Sequence, residues 1–161
     1  NVFGLLVLSL AANMAKPSEP GLEQSKHTFT SSPLTEEELG EDSAVIARVD
    51  TLMRIEKFHH DPDLNLNRLG RRLSLPARRI SIAINRCHGQ NVSQYINGFR
   101  IEEACKLLSE TDLQITQIIY ESGFQTKSNF NREFRRITGQ SPKDWRLSNL
   151  VLELRKQVKS L

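Results

Sequence analysis

The side chains with the most usable chemistry in this 161-residue chain are cations, amides and hydroxyls gathered at two places. One group is Lys127, Ser128, Asn129, Asn131 and Arg132. Arginine can fork onto the acceptor edge of guanine, asparagine can bond adenine, and serine suits phosphate or base. The other group is Arg71, Arg72, Arg78, Arg79, Ser81 and Ile82. Arg71 and Arg72 suit phosphate oxygens, whereas Ile82 offers only apolar contact, for instance to a thymine methyl. Packing of Ile82 against a neighbouring helix is the other reading, and both stand open. Lys143 adds a further cation suited to phosphate. The bland alternative is that both groups are solvated polar faces.

Other chemistry is poorly supported. His59 and His60 are adjacent rather than four apart on one helical face, and no cysteine pair has zinc-knuckle spacing. No metal or cofactor is therefore expected. Cys87 and Cys105 fall at apolar-face positions and are expected as buried thiols. There is no glycine-rich phosphate loop, no G-x-S-x-G and no H-E-x-x-H. An enzyme is not expected.

Charge is unevenly distributed. Residues 1–42 carry two lysines and seven acids, whereas residues 43–161 carry 20 basic and 12 acidic residues. The part able to fold is thus basic, which favours an anionic partner. Hydrophobic content of 38% excludes wholesale disorder. The chain opens at Asn1 followed by an apolar run, residues 2–12, too short to span a bilayer alone. That run is expected to be the end of a transmembrane helix in a longer protein, with Lys16 beyond it. Residues 13–42 read as a Pro/Ser-rich linker and a helix start, with Thr35 and Glu38 as a capping box.

The elements that must position the two groups are helices. Val45, Val49, Leu52 and Met53 recur on one helical face, in a helix expected to end near His60 because Pro62 follows. A repeat then emerges. Asp63-Leu64-Asn65-Leu66 echoes Asp112-Leu113-Gln114-Ile115 at an offset of 49. Ile80, Ile84 and Gly89-Gln90 echo Phe130, Phe134 and Gly139-Gln140 at an offset of 50. The extra residue falls near Gly123, in a segment where length changes are cheap. Two copies of helix–turn–helix, at about 64–89 and 112–139, joined by a longer helix, describe an all-α domain over 43–161. The second helix of such a unit enters the DNA major groove. Thr126 is expected to cap that helix in the second copy, with Phe130, Phe134 and Ile137 facing inward. The joining helix of about 18 residues spans roughly 27 Å, against ~34 Å between successive grooves. One chain could therefore place two recognition helices in adjacent grooves of double-stranded DNA. Glu102 and Lys106 are expected to support the joining helix as an i, i+4 pair. A helical protein–protein interaction module is the alternative, favoured only if acids cap the basic faces; no such caps are expected.

Segment 64–146 resembles the C-terminal DNA-binding domain of AraC/XylS-type bacterial transcription regulators. The matching residues include Leu69-Gly70, Ile80, Gly89, Tyr95, Arg100-Ile101-Glu102-Glu103-Ala104, Gly123-Phe124, Phe130, Phe134, Gly139, Ser141-Pro142 and Arg146. His60-Asp61-Pro62-Asp63-Leu64, Ile84-Asn85, Gly89-Gln90-Asn91 and Tyr95-Ile96-Asn97 are further similar to a subgroup with membrane helices ahead of this domain. The resemblance implies two homeodomain-like helix-turn-helix units bridged by a long helix, and sequence-specific transcription regulation. It implies RNA polymerase as a further partner, and a cytoplasmic domain on a protein held in the bacterial inner membrane. It places Ala77, Arg78, Ser81, Ile82, Lys127, Ser128, Asn129, Asn131 and Arg132 toward DNA. Pro76, Gly70 and Ile82 depart from the family's usual residues, so base reading is expected more from the second unit than from the first. Nothing in the residues sets an oligomeric state.

Overall fold

A computed structural model describes residues 36–159. The apolar run 2–12, the linker and the Thr35 cap lie outside the described residues. Seven α-helices follow one another: α1 (Glu36–Arg54), α2 (Leu66–Leu73), α3 (Ala77–His88), α4 (Val92–Glu110), α5 (Ile115–Glu121), α6 (Lys127–Thr138) and α7 (Pro142–Lys159). A 3-10 turn, Phe58–His60, lies between α1 and α2. There is no strand among the described residues, and no helix among them is long and apolar enough to cross a membrane.

The duplication shapes the backbone directly. Helix α2 begins at Leu66 and α5 at Ile115, 49 positions on; α3 begins at Ala77 and α6 at Lys127, 50 positions on. Both second helices end on a left-handed glycine, Gly89 at φ 63° and Gly139 at φ 74°. The inserted residue lengthens the second turn, residues 122–126, as the offsets predict.

Helix α4 serves two cores at once. Val92, Tyr95, Ile96 and Phe99 join one apolar cluster with α1, α2 and α3. Ile101, Ala104, Cys105 and Leu108 join another with α5 and α6. Each set repeats at i, i+3, i+4, i+7, and at about 100° per residue the two sets lie on opposite sides of the helix. Each unit thus closes its core on its own face of one shared rod.

Helix α1 supplies Val45, Val49, Leu52 and Met53 to the first core, as its periodicity predicts. It stops at Arg54, earlier than the expected end near His60. Lys57 adopts a left-handed backbone at φ 53°, and the chain folds back so that His59 is buried. His59 Nδ1 donates to the Met53 carbonyl at 3.0 Å, satisfying an acceptor at the frayed end of α1. Burial, followed by neighbouring His60, pushes the His59 pKa down to about 4, so the ring is neutral near pH 7.

The two units meet at this same turn. Arg100 on α4 donates from Nε to the His59 carbonyl at 2.9 Å and from Nη2 to the Asp61 carbonyl at 2.8 Å. Its guanidinium lies 5.7 Å from the Phe124 ring centroid, in the turn of the second unit. Gln125 Nε2 donates to the Pro62 carbonyl and to Asp63 Oδ1, both at 3.0 Å. Gly123, at φ 86°, packs so tightly that an added Cβ would stand 2.3 Å from the His59 carbonyl oxygen.

Gly123 and Gly139 separate two costs of substitution. Alanine at Gly139 meets no atom within 4 Å, so Gly139→Ala should cost only the left-handed strain, about 1–2 kcal/mol. Gly123→Ala should cost that plus about 1–3 kcal/mol for forcing the joint apart. Urea midpoints check this, and equal losses at the two sites would show that the close approach carries no energy.

Candidate DNA-binding surface

Helix α6 begins with Thr126, whose Oγ1 accepts from the Asn129 amide at 3.3 Å, the cap that the sequence predicts. Phe130 and Phe134 are fully buried in the second core, and half-buried Ile137 packs against it. The opposite face is left to Lys127, Ser128, Asn131 and Arg132, all exposed, with Asn129 half-buried at the margin. Lys127, Ser128 and Asn131 show no side-chain hydrogen bond or ion pair among the described residues, so their donors face outward free. Arg135 and Arg136 extend the exposed basic face along the helix.

Arg132 is held in place while remaining 70% exposed. Its Nε donates to Glu133 Oε1 at 3.3 Å and its Nη2 to Asn129 Oδ1 at 2.6 Å. Glu133 is buried and also accepts from Arg136 Nε at 3.0 Å. The sequence reading missed Glu133, which sits among outward cations yet turns its carboxylate back beneath two of them. A guanidinium held in one pose loses less entropy when it forks onto a base. The signal that could have found it is its spacing: Glu133 directly follows Arg132 and precedes Arg136 by three.

The first unit is built differently. Helix α3 starts at Ala77 behind Pro76, which has no side chain able to cap it. Arg78 is exposed without an ion pair among the described residues, while Ala77, Ser81 and Ile82 are half-buried. Ile82 belongs to neither apolar cluster.

Arg79 is paired rather than free. It lies on the flank of α3 toward α1, where its guanidinium bonds Asp42 and stands 3.0 Å from Glu41. Asp42 is fully buried, and Arg86 reaches its other oxygen at 3.5 Å. Arg72 likewise bonds Glu56, and Arg68 stands 3.2 Å from Asp61. Acids do cap basic residues of the first unit, contrary to the sequence expectation. They come from α1 and the turn after it, up to 44 positions away, which periodicity cannot show. Arg71 stays exposed and carries no ion pair among the described residues.

Two further expectations change. Glu102 bonds Arg54 of α1 at 3.0 Å rather than Lys106. Cys87 is exposed near the end of α3, whereas Cys105 is buried as expected, its thiol pushed up to about 12 by burial. Lys143 is exposed on the first turn of α7, behind an N-cap in which the Asp144 amide donates to Ser141 Oγ at 3.2 Å. Arg146 anchors that helix to the start of the second unit through the Leu113 carbonyl at 2.7 Å.

Two helix-turn-helix units, each presenting the outer face of its second helix and meeting at a hydrogen-bonded joint, define a DNA-binding domain. Comparison with known proteins agrees. Residues 69–148 match the helix-turn-helix domain family. The chain is 31% identical over 98 residues to the HTH-type transcriptional activator RhaS of Pectobacterium carotovorum, a match covering 61% of this chain and 35% of that protein. The chain thus spans about a third of that relative's length. It is 27% identical to the C-terminal domain of the two-component response regulator yesN from Fusobacterium nucleatum, with a TM-score of 0.54 over 63% of this chain and 98% of that one. The DNA-binding domain of AdpA, solved in complex with a target DNA, shares the fold at 21% identity and a TM-score of 0.54, covering 67% of this chain and 91% of that one. The matched segment is therefore similar in sequence to the helix-turn-helix domains of transcription regulators, and it shares their fold.

Neighbouring arginines of α3 should behave oppositely. Arg79→Ala leaves the buried Asp42 with one distant partner and should destabilise the fold by about 3 kcal/mol. Arg78→Ala should change stability by under about 0.5 kcal/mol but lower the slope of log affinity against log salt by about one. Thermal unfolding with salt-titrated binding to duplex DNA separates them; a change in slope with no loss of stability in Arg79→Ala would contradict the assignment.

Proposed function

We propose that this protein is a sequence-specific transcription factor whose α3 and α6 enter adjacent major grooves of one duplex. The observation that carries this reading is α6: a capped helix with an exposed face of Lys127, Ser128, Asn131 and an Arg132 held in place by Glu133 and Asn129. Arg132 and Asn131 read base edges, with Asn129 orienting the arginine through its side-chain oxygen. Lys127, Arg71, Arg78 and Lys143 contact phosphates, and Arg72 joins them once it leaves Glu56. Ser128 and Ser81 bond phosphate or base, and Ile82 meets a thymine methyl. Arg79 serves the fold, through Asp42, more than the duplex. The second unit supplies most of the base reading and the first mainly docks on the backbone, since on the outer face of α3 one arginine, Arg78, has no ion pair among the described residues.

RNA polymerase as a partner and a membrane tether upstream of α1 belong to the same proposal. The first is supported by the resemblance to transcription activators, the second by the apolar run 2–12 and the similarity to the subgroup with membrane helices. A second reading, a protein-interaction module, is favoured by two observations: acids pair with Arg68, Arg72 and Arg79 of the first unit, and Leu147, Leu150, Val151 and Leu152 on α7 are each about half exposed. The readings are not exclusive, because that stripe lies outside the two recognition helices.

A binding selection from genomic fragments at physiological salt should recover a discrete site. On it, Arg132→Ala should cost ~1–3 kcal/mol and relax preference at one base pair. Equal losses on all sequences would contradict base reading by Arg132.

A further inference from the structure

The 3-10 turn between α1 and α2 carries a group of side chains that the DNA-facing surface does not use. His59, His60 and Glu103 each offer a donor atom, and these atoms lie within 4.8 Å of one another. We propose that they form a binding site for a divalent first-row transition-metal ion, with zinc the natural probe.

Three observations support the site. First, Nε2 of His59 and Nε2 of His60 are both shielded from solvent and have no hydrogen-bond partner, a costly arrangement for two buried ring nitrogens. Second, the His59 ring is 3% exposed and its Nδ1 must be the protonated nitrogen, because it faces the Met53 carbonyl at 3.0 Å. That fixes Nε2 as a bare lone pair, and a ring N–H given to a backbone carbonyl is how metal-ligating histidines are usually oriented. Third, Glu103 Oε1 stands 4.0 Å from His60 Nε2, too far for a hydrogen bond but suited to a shared ion. The Lys57 ammonium sits 3.0 Å from Glu103 Oε2 and competes with an ion for that carboxylate.

The donor set selects the ion. Two imidazoles and a carboxylate suit zinc, nickel, cobalt or copper, whereas magnesium and calcium prefer all-oxygen shells. Donors on one tetrahedral ion at about 2.1 Å stand roughly 3.4 Å apart, so this group must draw in by about an ångström. The chain can supply that movement. His60 and Lys57 are 38% and 48% exposed at the side chain, so the imidazole can swing inward as the ammonium swings out. Three protein ligands leave a fourth position for water.

The position is as telling as the chemistry. Glu103 is three residues beyond Arg100 on α4, and Arg100 holds the carbonyl of His59 itself. An ion would add a second clasp between the turn and α4, at the joint that sets the two units against one another. The sequence hides this site, since adjacent histidines lack helical ligand spacing and Glu103 lies more than forty positions away.

The test uses the chain of 161 residues without a histidine tag, stripped with chelator and then titrated with Zn(II) by calorimetry and Co(II) by visible absorption. Saturable binding of one equivalent is expected, with a Co(II) spectrum of tetrahedral type and a rise in Tm on adding zinc. His60→Ala and Glu103→Gln should each weaken binding at least about tenfold. Lys57→Asn, which keeps a residue tolerant of the left-handed backbone but removes the competing cation, should tighten it. His88→Ala should leave it unchanged, as His88 stacks on Tyr95 at 4.8 Å, outside the cluster. No saturable binding by the folded wild-type chain overturns the proposal whatever the variants do. So does affinity indifferent to His60→Ala and Glu103→Gln, or lost in His88→Ala.

Discussion

Arg100 is buried in a position few arginines occupy, with the carbonyls of His59 and Asp61 taking its donors and the Phe124 ring beside it. Burial lowers the pKa of its guanidinium, but the group stays charged and must keep its partners or suffer a large desolvation cost. Those partners come from the turn after α1, while Phe124 comes from the turn of the second unit. One side chain on the shared helix therefore ties together pieces from both halves of the duplication. Gly123 lets the second turn approach closely enough for this to happen. A domain that reads two grooves with one chain needs such a joint, since a loose one would make each unit bind with its own entropy loss.

The two units have diverged within this frame. In the second, a buried acid lies beneath the cations of the recognition helix and holds Arg132 facing outward. In the first, acids stand beside the helix and draw Arg79 and Arg86 to the flank, where α1 is fastened on. The same ion-pair chemistry thus fixes an outward arginine in one copy and mounts an extra helix in the other. The cap contrast points the same way, with Thr126 bonding the first turn of α6 and Pro76 unable to do so for α3.

Much of this was legible in the sequence because it is local. The terminal glycines at 89 and 139, the cap at Thr126 and the inward phenylalanines of α6 follow from spacing within one turn or one helix, and the offsets of 49 and 50 from comparing the chain with itself. The apolar positions of α4 were also legible, though not that they divide between two cores. What escaped depends on pairs far apart in the chain: Arg79 with Asp42, Arg54 with Glu102, Arg100 with the His59 carbonyl. The early end of α1 escaped because proline at 62 is a local stop signal, whereas the stop observed comes from burial of His59 and the left-handed turn at Lys57. Cys87 was misplaced because the apolar stripe of α3 has run past the edge of the core by the last turn. Each miss is a tertiary contact overriding a local rule.

The central claim is that the joint makes the two recognition helices one rigid reader. The most direct measurement is affinity for the selected operator as base pairs are inserted between the two half-sites. Inserting about five, half a turn of duplex, should reduce binding by wild-type protein to that of a single half-site, with recovery barred by the fixed separation even at a full turn. Binding that is unchanged by the half-turn insertion would contradict a rigid joint.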